Sequence, residues 1–211
     1  MSARFLRLAV FAAALAVTGC ASKTLSESQC MANDWYTVGY SDGSRGFDQS
    51  RLLQHADACV AHGIVPDRAQ YGAGWRDGID QYCTPESAFD LGRSGATYRR
   101  ICPANLEDAF HAAFTNGHTL YVAESEVASL ESAIDQRSAR IDELQTELRQ
   151  SVDGLVAPGT ATTDRLWLLE RTKNLSEEQG RLQSEIDRLN AELAVKRNDL
   201  DALRHAFAYN N

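Results

Sequence analysis

Residues 120–148 read LYVAESEVASLESAIDQRSARIDELQTEL, and residues 168–203 read LLERTKNLSEEQGRLQSEIDRLNAELAVKRNDLDAL. In the first stretch Leu120, Val127, Ile134, Ile141 and Leu148 recur at a seven-residue step, with Leu130 and Leu144 interleaved. In the second, Leu168, Leu175, Leu182 and Leu189 keep the same step and Leu203 rejoins it, with Ile186, Leu193 and Leu200 between them. A seven-residue repeat gathers its apolar positions on one helix face, so each stretch reads as one strand of a coiled coil. Arg137, Ser151, Thr172, Gln179 and Lys196 interrupt the seams, and neither is an ideal zipper. Glu177 with Arg181, and Glu192 with Lys196, are favourable i,i+4 pairs on the outer faces.

Between the two lies Asp153–Thr163 (DGLVAPGTATT), whose two glycines and proline are read as a break in the helix, with Asp164 placed to cap the return. The expected product is an antiparallel hairpin with arms of about 45 and 60 Å, at about 1.5 Å per residue. The return arm then runs back along residues 105–121, where Phe207 and Tyr209 meet the preceding segment. A turn with Val152 opposite Asp164 sets Ile141 beside Leu175 and Ile134 beside Leu182. A parallel dimer of rods is the rival arrangement, and the proline-containing break argues against it. Leu155, Val156, Leu166 and Trp167 collect at the far end of the rod, either as a cap on the hairpin or as a docking patch.

Working towards the N-terminus, residues 30–121 are different material. They hold Cys30, Cys59, Cys83 and Cys102, and all the glycines beyond Cys20 except Gly154, Gly159 and Gly180. An even set of cysteines confined to one half reads as two disulfides. Three pairings are possible, and the sequential one, Cys30–Cys59 with Cys83–Cys102, closes the shortest loops. No Cys-x-x-Cys pair favours a zinc site. Helix signals recur: Thr84-Pro85-Glu86 supplies a capping hydroxyl before a first-turn proline, and Asp67 opens a helix over 68–82. Gly63 closes one that starts near Ser50, and Asn105 is placed to cap the next. The fold class is mostly α: a small disulfide-stapled helical head (30–121) followed by an antiparallel coiled-coil hairpin (122–211).

The head repeats itself loosely. Trp35-x3-Gly39-x2-Asp42-Gly43-x2-Gly46 is followed by Tyr71-x2-Gly74-x3-Gly78-x3-Tyr82-Cys83. Then come Gly92-x2-Gly95-x2-Tyr98-x3-Cys102 and Phe114-x2-Gly117-x3-Tyr121. Glycines three or four apart bare one helical face to close approach, at a cost of up to about 1 kcal/mol each relative to alanine. Two uses fit: helices packed on glycine faces under aromatic lids, or a glycine-floored groove for a glycan or peptide. With Asp34-Trp35, His55-x3-Cys59 and Cys102-Pro103, this order resembles a family of uncharacterised proteobacterial lipoproteins known as a domain of unknown function (number twenty-seven ninety-nine). The resemblance covers about residues 30–121 and implies no activity and no functional residues.

The N-terminus carries Arg4 and Arg7, then the uncharged run Leu8–Val17, then Val17-Thr18-Gly19-Cys20. The run is too short for a membrane span, and its end resembles the lipobox of bacterial lipoproteins. That implies a signal peptide over 1–19, lipid on Cys20 and a polar tether over 20–29. Two or more acyl chains anchor stably. Ala21 after the cysteine points, by resemblance, to the inner leaflet of the outer membrane, facing the periplasm.

Loss of the leader takes the formal charge from −8 to −10. An acidic surface repels phosphate backbones and speaks against nucleic acid. His55 and His62, like His111 and His118, are seven apart and read as surface or cap histidines rather than metal ligands. Asp42, Asp77 and Asp80 read as turn or cap residues rather than paired catalytic carboxylates. No nucleophile motif, phosphate loop or dinucleotide fingerprint is present, so the reading includes no catalytic residue, no metal and no cofactor. The expected role is a lipid-anchored envelope spacer, scaffold or accessory subunit with an envelope protein partner and a possible homo-oligomeric state. A periplasmic binding module for peptidoglycan or glycan fragments is the alternative.

Overall fold

The computed structural model describes residues 24–208, which fold into seven α-helices and one short 3₁₀ turn, with no strand among them. The leader, Cys20 and Tyr209 lie outside the described residues. The helices are α1 (Glu27–Ala32), α2 (Trp35–Ser44), α3 (Arg51–Cys59), α4 (Arg68–Tyr82), α5 (Pro85–Arg93), α6 (Ala104–Val156) and α7 (Thr162–Ala208). The tether expected over 20–29 is corrected from Thr24 onward. Leu25 is buried in the core, and Ser26 with Gln29 forms a capping box that starts α1.

Local signals place most of the head. Asp67 accepts from the backbone N–H of Ala69 and Gln70 and opens α4. Thr84 accepts from Ser87 N–H, with Pro85 in the first turn of α5. Asn105 is not a cap: α6 begins one residue earlier, behind Pro103 and without a capping side chain. The disulfides are Cys30–Cys59 and Cys83–Cys102, the sequential pairing.

Two helix pairs make the head, and they are built alike. A Cβ on Gly43 would lie 2.4 Å from the Trp75 carbonyl oxygen, and one on Gly78 would lie 2.2 Å from that of Tyr40. In the second pair a Cβ on Gly92 would lie 2.2 Å from the Phe114 carbonyl oxygen, and one on Gly117 2.1 Å from that of Phe89. In each pair two bare backbones touch, a distance that lets Cα–H groups meet carbonyl oxygens across the seam. Partner numbers rise together along α2 and α4, so these helices run parallel. Gly39 and Gly74 extend their seam by one turn. Each pair also ends the same way. Gly46 and Gly95 adopt positive φ (69° and 71°), and the rings of Tyr82 and Tyr121 occupy the space a side chain there would need. The disulfides repeat too: each joins the chain just before the first helix of a pair to the chain leading into the second. The head is therefore a duplicated unit, and the second copy's seam is one turn shorter.

The arm grows out of the second copy without interruption. α6 spans 53 residues and serves first as a head helix and then as the outward arm, so no backbone break marks residue 121. It also runs through Asp153 and Gly154 to Val156, which corrects the expected break: only residues 157–161 turn. Pro158 excludes helix at Ala157, and Gly159 takes a φ of 86°, whereas Gly154 faces the Leu168 side chain inside the seam. The shorter turn moves the register. Leu120 and Val127 pack with Leu193 and Leu200, whereas the expected turn would set Val127 opposite Leu189, one turn short. Ile134 packs against this same cluster. Ion pairs between the helices, Arg137–Glu185 at 2.7 Å, Arg140–Glu178 at 3.0 Å and Glu147–Arg171 at 3.1 Å, line the seam. The end of α7 braces the head: the Phe207 ring meets that of Phe89 edge-on at 6.2 Å, and Glu124 is held by both Arg93 and Arg204.

Candidate functional site

The glycines do not floor a groove. Gly39, Gly43, Gly74 and Gly78 face one another's helices, as do Gly92 and Gly117, so the surfaces a glycan would need are occupied by backbone. Asp42, Asp77 and Asp80 are likewise not assembled. Asp42 is buried, Asp77 is exposed and accepts from Tyr36 Oη at 2.7 Å, and Asp80 is exposed. His111 and His118 are exposed, with His118 stacked on Phe114 and tilted against Tyr121. Among the described residues no group of three or more His, Cys, Asp or Glu side chains converges to hold a metal ion.

One polar cluster does assemble, and it lies inside the first copy. Asp42 and His55 are only 1% and 2% exposed, which corrects their reading as cap or surface residues. His55 Nε2 lies 2.6 Å from Asp42 Oδ2, and its Nδ1 lies 2.9 Å from Thr24 Oγ1. Tyr71 donates its hydroxyl to the same Asp42 oxygen at 2.9 Å. Arg51 Nε sits 3.3 Å from Asp42 Oδ1, off line for a hydrogen bond, while its guanidinium covers the Phe47 ring at 3.8 Å. Trp75 Nε1 donates to the Phe47 carbonyl at 2.7 Å and closes the cluster. Burial first, and then the negative charge of Asp42, raises the Tyr71 phenol far above the usual tyrosine range. A carboxylate taken out of water needs such partners, because an unpaired buried charge is far costlier than a paired one. Thr24 also donates to the Gln54 carbonyl at 3.2 Å. The cluster therefore ties the first described residue of the chain to α3 and to the core of the head.

Nothing local in the sequence announces this cluster. Asp42 and His55 lie on different helices, and a single histidine carries no spacing signal. The one available cue was that Asp42 interrupts a glycine-faced helix at a position pointing inward.

At the far end of the molecule the tip is exposed. Val156, Leu166 and Trp167 are 74%, 64% and 59% exposed, and Leu169, absent from the expected patch, is 59% exposed. Leu155 is instead half-buried in the seam. The Arg171 guanidinium lies 5.4 Å from the centre of the Trp167 ring and covers one side of it.

Comparison with known proteins bears on the head alone. Residues 34–119 match the family described as Protein of unknown function (DUF2799). The head carries the DUF2799 signature. The matched stretch starts at Asp34, the cap of α2, and ends on α6 just beyond Gly117, so it holds both glycine crossings and leaves the arm outside. No curated protein and no solved structure matches the chain. The DUF2799 head thus comes with a fold plan but no assigned chemistry.

Proposed function

We propose that this protein is a lipid-anchored scaffold of the cell envelope. Its DUF2799 head stays at the membrane and its hairpin arm presents an apolar tip to a protein partner. The observation that carries this reading is the tip itself. Val156, Leu166, Trp167 and Leu169 are large, apolar and exposed at the end of a rod, where they contribute little to a core. From Val122 to Val156 the rod is about 52 Å long at 1.5 Å per residue. No helix among the described residues is long and apolar enough to cross a membrane, so attachment rests on the acyl chains implied at Cys20. The inner leaflet of the outer membrane is the proposed site, on the strength of Ala21. The role needs no reaction, no cofactor and no nucleic acid.

The test is co-purification from solubilised envelopes with the full chain and with Trp167→Ala/Leu166→Ser. The pair should leave the melting temperature within a few degrees of the parent and remove the co-purifying partner. A large fall in melting temperature would show instead that the tip is a structural cap. Retention of the same partner by the variant would move the docking site elsewhere.

A further inference from the structure

The covalent distance from the anchor to the folded head is short. Thr24 is held by the Gln54 carbonyl and by His55, so the chain is already fixed four residues after Cys20. Four residues span at most about 14 Å even when fully extended. On the reading that Cys20 is acylated, the lipid surface therefore comes within that distance of α3.

On their exposed side, α3 and the short turn after it carry two large apolar side chains beside the polar Gln54 and Asp57. Leu53 is 61% exposed and lies one residue from Gln54; Val60, two turns on, is 71% exposed. Val65, 83% exposed, shares a shallow groove with Leu53, and Met31, 61% exposed, flanks the Cys30–Cys59 bridge as Val60 does. These side chains belong to the first copy, at the end of the chain that carries the anchor. Around these side chains Asp57, Asp67 and Glu27, the last one turn before Met31 and paired with His62 at 3.7 Å, outnumber Arg68, so the apolar side chains rather than a basic charge would hold the face to lipid.

The duplication supplies an internal control for the polar cluster behind this face. Measured from the paired glycines Gly43 and Gly92, Asp42 corresponds to Leu91; measured from Gly78 and Gly117, Tyr71 corresponds to Phe110. The same helix pair is thus built in the second copy with two apolar residues, and the fold itself does not demand Asp42 and Tyr71. What the first copy has in addition is Thr24, the residue nearest the anchor, bound to His55.

We propose that Met31, Leu53, Val60 and Val65 form a face that lies on the bilayer surface, and that the Thr24–His55–Asp42 relay fixes the anchor segment beside α3 so that the head is oriented rather than free to tumble. This rests on the acylation of Cys20 and adds to it a defined contact between protein and lipid. Apolar side chains at headgroup depth gain by burial, and the acyl chains hold them there.

The test uses the full chain, expressed with its leader, extracted from membranes and reconstituted in phosphatidylethanolamine–phosphatidylglycerol vesicles. The vesicles carry a phospholipid with a photoactivatable acyl chain, and crosslinks are mapped by mass spectrometry. Labelling is expected on residues 27–33 and 51–68, several-fold above the arm. Leu53→Ser/Val65→Ser should lose that labelling at unchanged melting temperature, and Thr24→Val should lower it several-fold while the protein stays vesicle-bound. Acylated, vesicle-bound protein labelled evenly, or on residues 152–171 instead, overturns the proposal, and full labelling of Thr24→Val overturns the relay. The mass of the N-terminal peptide is read separately: an unacylated Cys20 overturns the anchor itself, whatever the labelling pattern.

Discussion

Phe110 stands in α6 where Tyr71 stands in α4, each seven residues before the glycine that seats a helix crossing, and each at most 1% exposed. One ring ends in a hydroxyl donated to Asp42; the other ends in carbon, stacks with Tyr82 at 5.4 Å and lies tilted against Tyr98 at 4.6 Å. The same position is thus solved once with a polar partner and once with aromatic neighbours.

That difference predicts unequal costs. Tyr71→Phe removes one hydrogen bond to a carboxylate that keeps its other partners, and should cost about 1–2 kcal/mol in urea unfolding. Asp42→Leu supplies the residue of the second copy but strands the buried His55 and removes the carboxylate beside the part-exposed Arg51, and should cost about 3–5 kcal/mol. Equal losses for the two variants would show that the cluster is not a coupled network.

The glycines divide by what a methyl group would meet. At Gly78 and Gly117 it would strike backbone at 2.2 and 2.1 Å, so Gly78→Ala and Gly117→Ala must part the helices. Each should cost upwards of about 3 kcal/mol, the upper range for overpacking. Gly180 on α7 has nothing within 4 Å, and Gly180→Ala should stabilise by up to about 1 kcal/mol. Thermal unfolding of the three variants checks the order, and a destabilised Gly180→Ala would mean that a partner occupies that side of the arm.

Alkali should unfold the head before the arm. Burial raises the phenols of Tyr71, Tyr82 and Tyr98, and Tyr98, whose hydroxyl also bonds Glu107, is pushed up to about 12. A raised pKa means that the folded state holds its proton longer than the unfolded chain, whose tyrosines titrate near about 10. The stabilisation is complete below that value and is lost as pH climbs through the folded value. Phenolate absorbance should therefore rise together with loss of near-ultraviolet dichroism above about pH 10. In Tyr71→Phe the slope of stability against pH there should be shallower, and an unchanged slope would remove Tyr71 from the account.

The hairpin is testable through its register. Cysteines replacing Val127 and Leu193, which pack together in the seam, should be bridged within one chain by a short bis-thiol reagent while the native disulfides stay intact. Bridging only between chains would require intermolecular rods and would exclude the hairpin.

How much of this was legible follows from where each signal resides. Heptads are local, so both arms could be read directly, and cysteine order left the sequential pairing among three. The turn was misread because Gly154 looks like a breaker when counted by type, yet one glycine costs a helix only about 1 kcal/mol and here it makes room for Leu168. Pro158 alone ends the helix, and the register followed it. The glycine motif announced close packing but not its partner, since a bare face is equally suited to a helix or a ligand. The duplication stayed half hidden because the second copy lacks one turn and replaces Asp42 and Tyr71 by Leu91 and Phe110. The buried cluster depends on residues 24, 42, 51, 55 and 71 meeting in space, which no periodicity records.

The continuity of α6 has a mechanical consequence. A force applied at Trp167 has no hinge at residue 121 in which to dissipate, because the helix crossing that point is unbroken and is braced there by Glu124 and Phe207. The load travels as torque to the Gly92–Gly117 crossing, where two backbones touch without intervening side chains. Such a joint has almost no slack: it transmits rotation or it separates. Tension on the arm would therefore be felt at the opposite end of the molecule as a turn of the whole head, the behaviour of a crank rather than of a tether.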